Sequence, residues 1–297
     1  MKHSRGQIKA KVDRIQTLPT MAKVGMRVIE LASSQEVSMA DLSRAIHQDA
    51  SFAARVLKIA NSPFYGMPRQ VDSLQLALVI LGLNEIQNIA LGLSVFNVIR
   101  NMNSHPTRNR EQFWLHSAGC GIVARILARA LGLHAEGTDF AAGLLHDIGK
   151  IVIDEFFGEE FDLIHEKAAT KNVCVLEAEE EVLGESHAHI GGWLAEKWQL
   201  PDILCGAIMC HHDSAKAPAG TFVKDPKIAA LSYVAEGFCG CHEIGWDGDS
   251  RACDMKSPDA WDILLAGQSK RTRADIDAIL EETLQAYRET RPQMLWE

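Results

Sequence analysis

A chain of 297 residues, 47% of them hydrophobic, can enclose a sizeable core as one large domain or two modest ones. Its formal charge of −9 disfavours a general grip on phosphate backbones, so nucleic acid is not an expected partner, although the N-terminus and Arg100, Arg108 and Arg110 offer a local basic patch. Seven cysteines in no framework spacing suit a reducing compartment, and every apolar run is soon broken by Arg, Glu, Gln or Asn, so a cytoplasmic setting without a membrane span is expected.

In chain order, VGMRVIELAS predicts a helix after a turn at Pro19. SMADLSRAIHQD opens with Ser38 three residues before Asp41, the spacing of a capping box, and SFAARVLKIANSPF sets Phe52, Val56, Ile59 and Ala60 on one buried face before stopping at Asn61, Ser62 and Pro63. SLQLALVILGL and EIQNIALGLSVFNVIRNM predict two strongly apolar helices separated near Gly82, which need partners on more than one side. The polar stretch NSHPTRNR, residues 103 to 110, is the best internal boundary, because Pro106 disfavours helix at the residue before it. Residues 12–103 thus form an N-terminal helical half and residues 104–297 a second half. The two are expected to pack as one architecture through the helix bearing Trp114; the alternative is a self-contained first bundle with the polar stretch as a hinge.

After the boundary come a long helix in EQFWLHSAGCGIVARILARALG, a helix carrying AAGLLHDIGKIVI, the acidic segment LEAEEEVLGESHAHIGGWLAEKW, and PDILCGAIMCHHD, where Pro201 suits a first turn; all read as helical. DPKIAALSYVAEGF predicts another helix, followed by a Gly-rich, Cys-containing loop from Gly237 to Lys256. DIDAILEETLQAYRE then sets Ile276, Ile279, Leu280, Leu284 and Tyr287 on one face. With no internal repeat and no strand succession, the fold class is all-α.

The chemistry gathers around GLLHDIGK, where Asp147 sits in an apolar run and a buried carboxylate needs compensation. His116, His146, His187, His189, His211 and His212 fall inside helical patterns. Imidazole and carboxylate suit Fe, Mn, Ni or Zn, and two metals sharing one bridging carboxylate would account for so many. Each signal also has a plainer reading. His116 could bond a backbone carbonyl, His146 and Asp147 could brace their helix as a local pair, and His211 and His212 could end a helix in solvent. Lys150, three residues beyond Asp147 on the same helix, could reach the pocket or merely compensate the carboxylate. His189 points to another face than His187. Cys239, Cys241, His242 and Cys253 lack a usual zinc spacing and read as incidental, while Cys120, Cys205 and Cys210 read as inert core and Trp114, Trp193 and Trp198 as packing groups.

GLLHDIGK, preceded by His116 and followed by spaced histidines, resembles the HD superfamily of metal-dependent phosphohydrolases. LPTMAKVGMRVIELAS, RVLKIANSPFYG, LQLALVILGL, FWLHS and LGESHAHIGGWLAEKWQLP, in that order, narrow the resemblance to the HDOD domain, a module of bacterial signalling proteins, over about residues 12 to 215. The resemblance implies an HD-domain-like helical bundle with an N-terminal helical subdomain, both halves being one domain. It implies a regulatory output role whose partners are a signalling protein or a small phosphate-containing ligand. His116, His146, Asp147, His187, His211 and His212 match the ligand positions of the related HD-GYP phosphodiesterases, so the resemblance implies a retained site for a divalent or mixed-valence metal. Glu236 stands where the hydrolases carry a final aspartate and Asp213 where a glutamate follows the histidine pair, but no Gly-Tyr-Pro occurs. The alternative implied is a phosphohydrolase acting on a cyclic dinucleotide, a nucleotide or another phosphate ester. In it Asp147 would bridge two metals and Lys150 would stabilise the transferring group.

Overall fold

Among the described residues, wherever the 3.6-residue apolar spacing persists, the chain is helical. The computed structural model describes residues 5–14, 27–28, 31, 38–61, 69–100, 110–135, 137–213, 225–246, 248–249, 254–267 and 271–290, and no strand occurs among them. VGMRVIELAS apart from Arg27, Val28 and Leu31, NSHPTRNR apart from Arg110, Cys253, and the side chains of Ile59 and Arg100 lie outside the described residues.

The N-terminal elements are α1 (Arg5–Arg14), α2 (Met39–His47), α3 (Ala50–Ala60), α4 (Leu74–Leu81) and α5 (Leu83–Arg100). Ser38 caps α2 by accepting the Asp41 N–H at 3.1 Å, and its hydroxyl donates to the Asp41 carboxylate at 2.6 Å. Phe52, Val56 and Ala60 are buried as their spacing predicts. Asn61 ends α3 because its side chain turns to the backbone: it donates to the carbonyls of Leu57 and Val71 and accepts the Val71 N–H, the last two at 2.7 Å. At Gly82, whose φ of 88° favours glycine, α4 and α5 meet at a bend of 119°. No single helix among the described residues is long and apolar enough to cross a membrane.

The second half holds α6 (Arg110–Ala130), α7 (Thr138–Leu145), α8 (Ile148–Phe156), α9 (Gly158–Lys171), α10 (Val175–Val182), α11 (His187–Lys197), α12 (Asp202–Cys210), α13 (Pro226–Cys241), α14 (Pro258–Leu265) and α15 (Ile276–Thr290). The centre is built by α6 against α7 and α13, α8 against α11, and α12 against α7, α11 and α13. Two of these crossings depend on absent side chains. A Cβ on Gly143 would stand 2.6 Å from the Cys120 carbonyl oxygen, and a Cβ on Gly149 only 1.9 Å from that of His187. Glycine lets α6 meet α7, and α8 meet α11, almost backbone to backbone.

The two halves touch directly. Helix α5 packs on α7, with Gly92 facing Leu144, and α1 packs on α11, where Lys197 Nζ donates to the Asp13 carbonyl at 2.7 Å and Lys9 covers the buried Trp193 ring. Arg125 of α6 joins Glu85 of α5 and Asp139 of α7, the latter at 2.8 Å, and all three are buried.

Three boundaries differ from the expected ones. AAGLLHDIGKIVI is two helices, with His146 and Asp147 at their joint; Asp147, at φ −95° and ψ 12°, lies in the bridge region instead of continuing α7. LEAEEEVLGESHAHIGGWLAEKW also divides: Gly184 turns at φ 78° and Ser186 restarts the helix by accepting the His189 N–H. In contrast, the segment expected to loop from Gly237 stays helical to Cys241, keeping Phe238 and Cys239 buried.

Candidate metal centre

Six places in the fold deliver side chains to one buried region. Helix α6 contributes His116; the α7–α8 joint, His146 and Asp147; the first turn of α8, Lys150; the start of α11, His187; the end of α12, His211 and His212; and the middle of α13, Glu236. His146, Asp147 and His211 are fully buried, and His116 and His187 nearly so. Their donor atoms fall into overlapping groups: Asp147, His187, His211 and His212; His146, Asp147, His211 and Glu236; and His116, Cys120 and His146. Asp147 and His211 belong to both of the first two. His116 joins through His146 and Cys120, in a group that does not include Asp147. His189 turns away to Glu185 and is partly exposed.

The spacing inside the first group is that of ligands around an ion. Two imidazole nitrogens bound tetrahedrally at about 2.05 Å stand about 3.3 Å apart, and about 2.9 Å apart at a right angle. His187 Nε2 lies 3.3 Å from His211 Nε2 and 2.9 Å from His212 Nε2. Asp147 Oδ1 is 3.2 Å from His187 Nε2 and 3.7 Å from His211 Nε2. The far sides of the rings are fixed: His146 Nδ1 and His211 Nδ1 sit 2.8 and 2.7 Å from the carbonyls of Gly143 and Ile208. A ring that donates from Nδ1 leaves Nε2 as a lone pair, the tautomer a metal needs. His146 Nε2, buried, makes no hydrogen bond. The residues present therefore fit a divalent ion.

Charge is arranged to the same end. Burial opposes ionisation of Asp147, but His146, Lys150 and His187 outweigh it and hold the carboxyl well below its usual range. Burial, followed by mutual repulsion among the rings, keeps His211 and His212 neutral, with values well below that of free imidazole. His187 differs: burial works against its charged form, yet Glu179 and Asp147 raise it to about 10. Lys150 Nζ lies 2.7 Å from Asp147 Oδ2, in the compensating position.

Glu179 is a site residue that the sequence reading passed over. One of its oxygens accepts both the backbone N–H and the Nδ1 of His187. In LEAEEEV it resembles its neighbours in type, but it shares the buried face of α10 with Val175, Ala178 and Val182, a helical spacing that could have marked it. Of the cysteines read as inert, Cys205 and Cys210 are buried with thiols pushed by desolvation to about 12 and 11, whereas Cys120 stands beside His116.

An all-helical domain with a His–Asp pair at a helix joint and further histidines converging on it defines a class, and the chain belongs to the HDOD domain family, whose model matches residues 18–214. An uncharacterized protein of Treponema pallidum is 27% identical over 69% of this chain, and the chain spans only 40% of that protein's length. An HDOD domain protein of unknown function from Geobacter sulfurreducens shares the fold at a TM-score of 0.76 with 24% identity, covering 95% of this chain and 96% of its own. A proposed phosphohydrolase from Shewanella amazonensis SB2B aligns at 0.72 with 21% identity over 99% of both chains.

Proposed function

We propose that the chain is a regulatory output protein of signal transduction, working in the cytoplasm, whose second half retains a metal centre held by Asp147, His187, His211 and His212 and by His146 and Glu236. Its metal is Fe, Mn, Ni or Zn; a bound ion supplies Lewis acidity there. The residue segments 12–103 and 104–297 act as one unit, supported by the α5–α7 contact and the buried Arg125 cluster. A signalling protein is the partner that reads its state. The observation that carries the regulatory role is the burial of the donors: His146, Asp147 and His211 have no exposed surface, and of the donors only the His212 ring, 14% exposed, offers a substrate a way in.

A second reading, a phosphohydrolase for a cyclic dinucleotide, nucleotide or other phosphate ester, draws support from Lys150, a cation at the carboxylate where a phosphoryl group needs one. Elemental analysis of untagged protein against Asp147→Ala tests the centre, with metal expected in the wild type alone. The metal-loaded protein is then screened against cyclic dinucleotides, nucleotides and phosphomonoesters. Turnover no greater than that of the Asp147→Ala control supports regulation; turnover well above it selects the hydrolase.

A further inference from the structure

Cys120 reads from the sequence as an inert core thiol, and its surroundings say otherwise. It follows His116 by four residues on α6, so the two side chains share a helix face. Its Sγ lies 3.4 Å from His116 Nε2. A sulfur and an imidazole nitrogen held tetrahedrally at about 2.3 and 2.05 Å from one ion stand about 3.6 Å apart. The third donor in reach is His146, and the ligand atoms of all three lie within 4.8 Å of one another. His146 Nε2 is fully buried and makes no hydrogen bond, while its Nδ1 is held by the Gly143 carbonyl. The close crossing of α6 and α7 at Gly143, directly over the Cys120 backbone, brings the three together.

We infer that Cys120 is a thiolate ligand of the metal centre, completing with His116 the position that the one free lone pair of His146 serves, next to the position built on Asp147, His187, His211 and His212. The inference rests on the metal-centre reading above and adds a sulfur donor to it. Such a donor selects zinc or iron(II) over manganese or magnesium, because soft thiolate prefers the softer ions. Without metal the thiol is protonated: burial, then hydrogen bonding with Cys239, then the charges of Glu236 and Asp147 push it well above its usual value. Binding exchanges that proton for the metal, Cys–SH plus M²⁺ giving Cys–S–M⁺ and a proton released to solvent.

Cobalt(II) titration of the full chain, stripped with chelator and kept reduced, tests this. The wild type should develop visible ligand-field bands together with a near-ultraviolet thiolate-to-cobalt charge-transfer band. Cys120→Ser should lose the charge-transfer band and keep the visible ones, and Cys239→Ala should keep both. Visible bands without charge transfer in the wild type, or a charge-transfer band that survives Cys120→Ser and disappears in Cys239→Ala, overturn the assignment of Cys120 while leaving the centre intact. No cobalt bound by the wild type overturns the centre and the thiolate with it. Should Cys120→Ser fail to fold, zinc-edge X-ray absorption of the loaded wild type decides: a sulfur shell at about 2.3 Å supports the assignment, and a shell of nitrogen and oxygen alone overturns it.

Discussion

A single oxygen of Glu179 accepts two hydrogen bonds from His187, the backbone N–H at 2.8 Å and the ring Nδ1 at 2.7 Å. That carboxylate takes up a free N–H in the first turn of α11 and, by holding the proton on Nδ1, aims Nε2 at Asp147, His211 and His212. Removing such an orienting partner typically lowers metal affinity about 10–100-fold. Glu179→Ala should show that loss in competition with a chromogenic chelator, with its circular dichroism retained; unchanged affinity would show that the ring needs no such support.

The same pair predicts a pH dependence. His187 is raised from 6.5 to about 10 in the folded, metal-free protein, against the pull of burial and through Glu179 and Asp147. A raised value means that the charged ring contributes stability fully present below about pH 6.5 and lost as the pH climbs through about 10. Denaturation midpoints measured in chelator should therefore fall across that window, and Glu179→Gln should flatten the slope. Metal affinity should move the opposite way, rising over the same range because the ion competes with a proton. A chelated wild type with no more slope than Glu179→Gln would dismiss this account.

Gly149 should tolerate no side chain. Its Cβ would stand 1.9 Å from the His187 carbonyl oxygen, an atom on the facing helix that cannot rotate aside. Gly149→Ala is expected to cost about 1–3 kcal/mol or more and to abolish metal retention, since Asp147 and His187 lie on opposite sides of the contact. Gly158→Ala, with nothing within 4 Å of the added atom, is the matched control and should leave both unchanged. Equal behaviour of the two in urea titration and metal analysis would contradict the crossing.

Arg125 serves two carboxylates on two other helices. Arg125→Ala strips Glu85 and Asp139 of their shared guanidinium inside the protein, a change expected to cost about 3–5 kcal/mol. Arg125→Lys should recover only part, because one ammonium cannot present the fork that meets both. Denaturant midpoints measure this directly, and a loss below about 1 kcal/mol would place the cluster among weak surface pairs.

Much of the fold was legible because local signals and tertiary demand agree. Asn61 stops α3 where its side chain binds the backbone, Gly82 separates α4 from α5 where a positive φ is required, and the buried faces of α3 and α15 follow the apolar spacing. What was not legible depends on contacts remote in sequence. Residues around His146 and Asp147 have good helical character, and the joint exists because Asp147 adopts a bridge-region backbone at the crossing with α11. Histidines announce a site through their motif. Glu179 does not, since Glu177, Glu180 and Glu181 beside it are chemically identical, and its place on the apolar face with Val175, Ala178 and Val182 marks burial but not the His187 it meets. Cys120 was hidden for a related reason: a thiol in an apolar helix reads as core until the histidine four residues back is known to lie against it.

The backbone contact at Gly149 has one more consequence. In the proposed centre Asp147 and His187 would grip the ion from the two helices that this contact holds together, so the spacing of α8 and α11 and the occupancy of the centre would be one coordinate viewed from two ends. A partner that wedges these helices apart would eject the ion, and by reciprocity the ion resists the wedge with the same free energy. The centre is in that sense a caliper, whose reading is the gap between two helices.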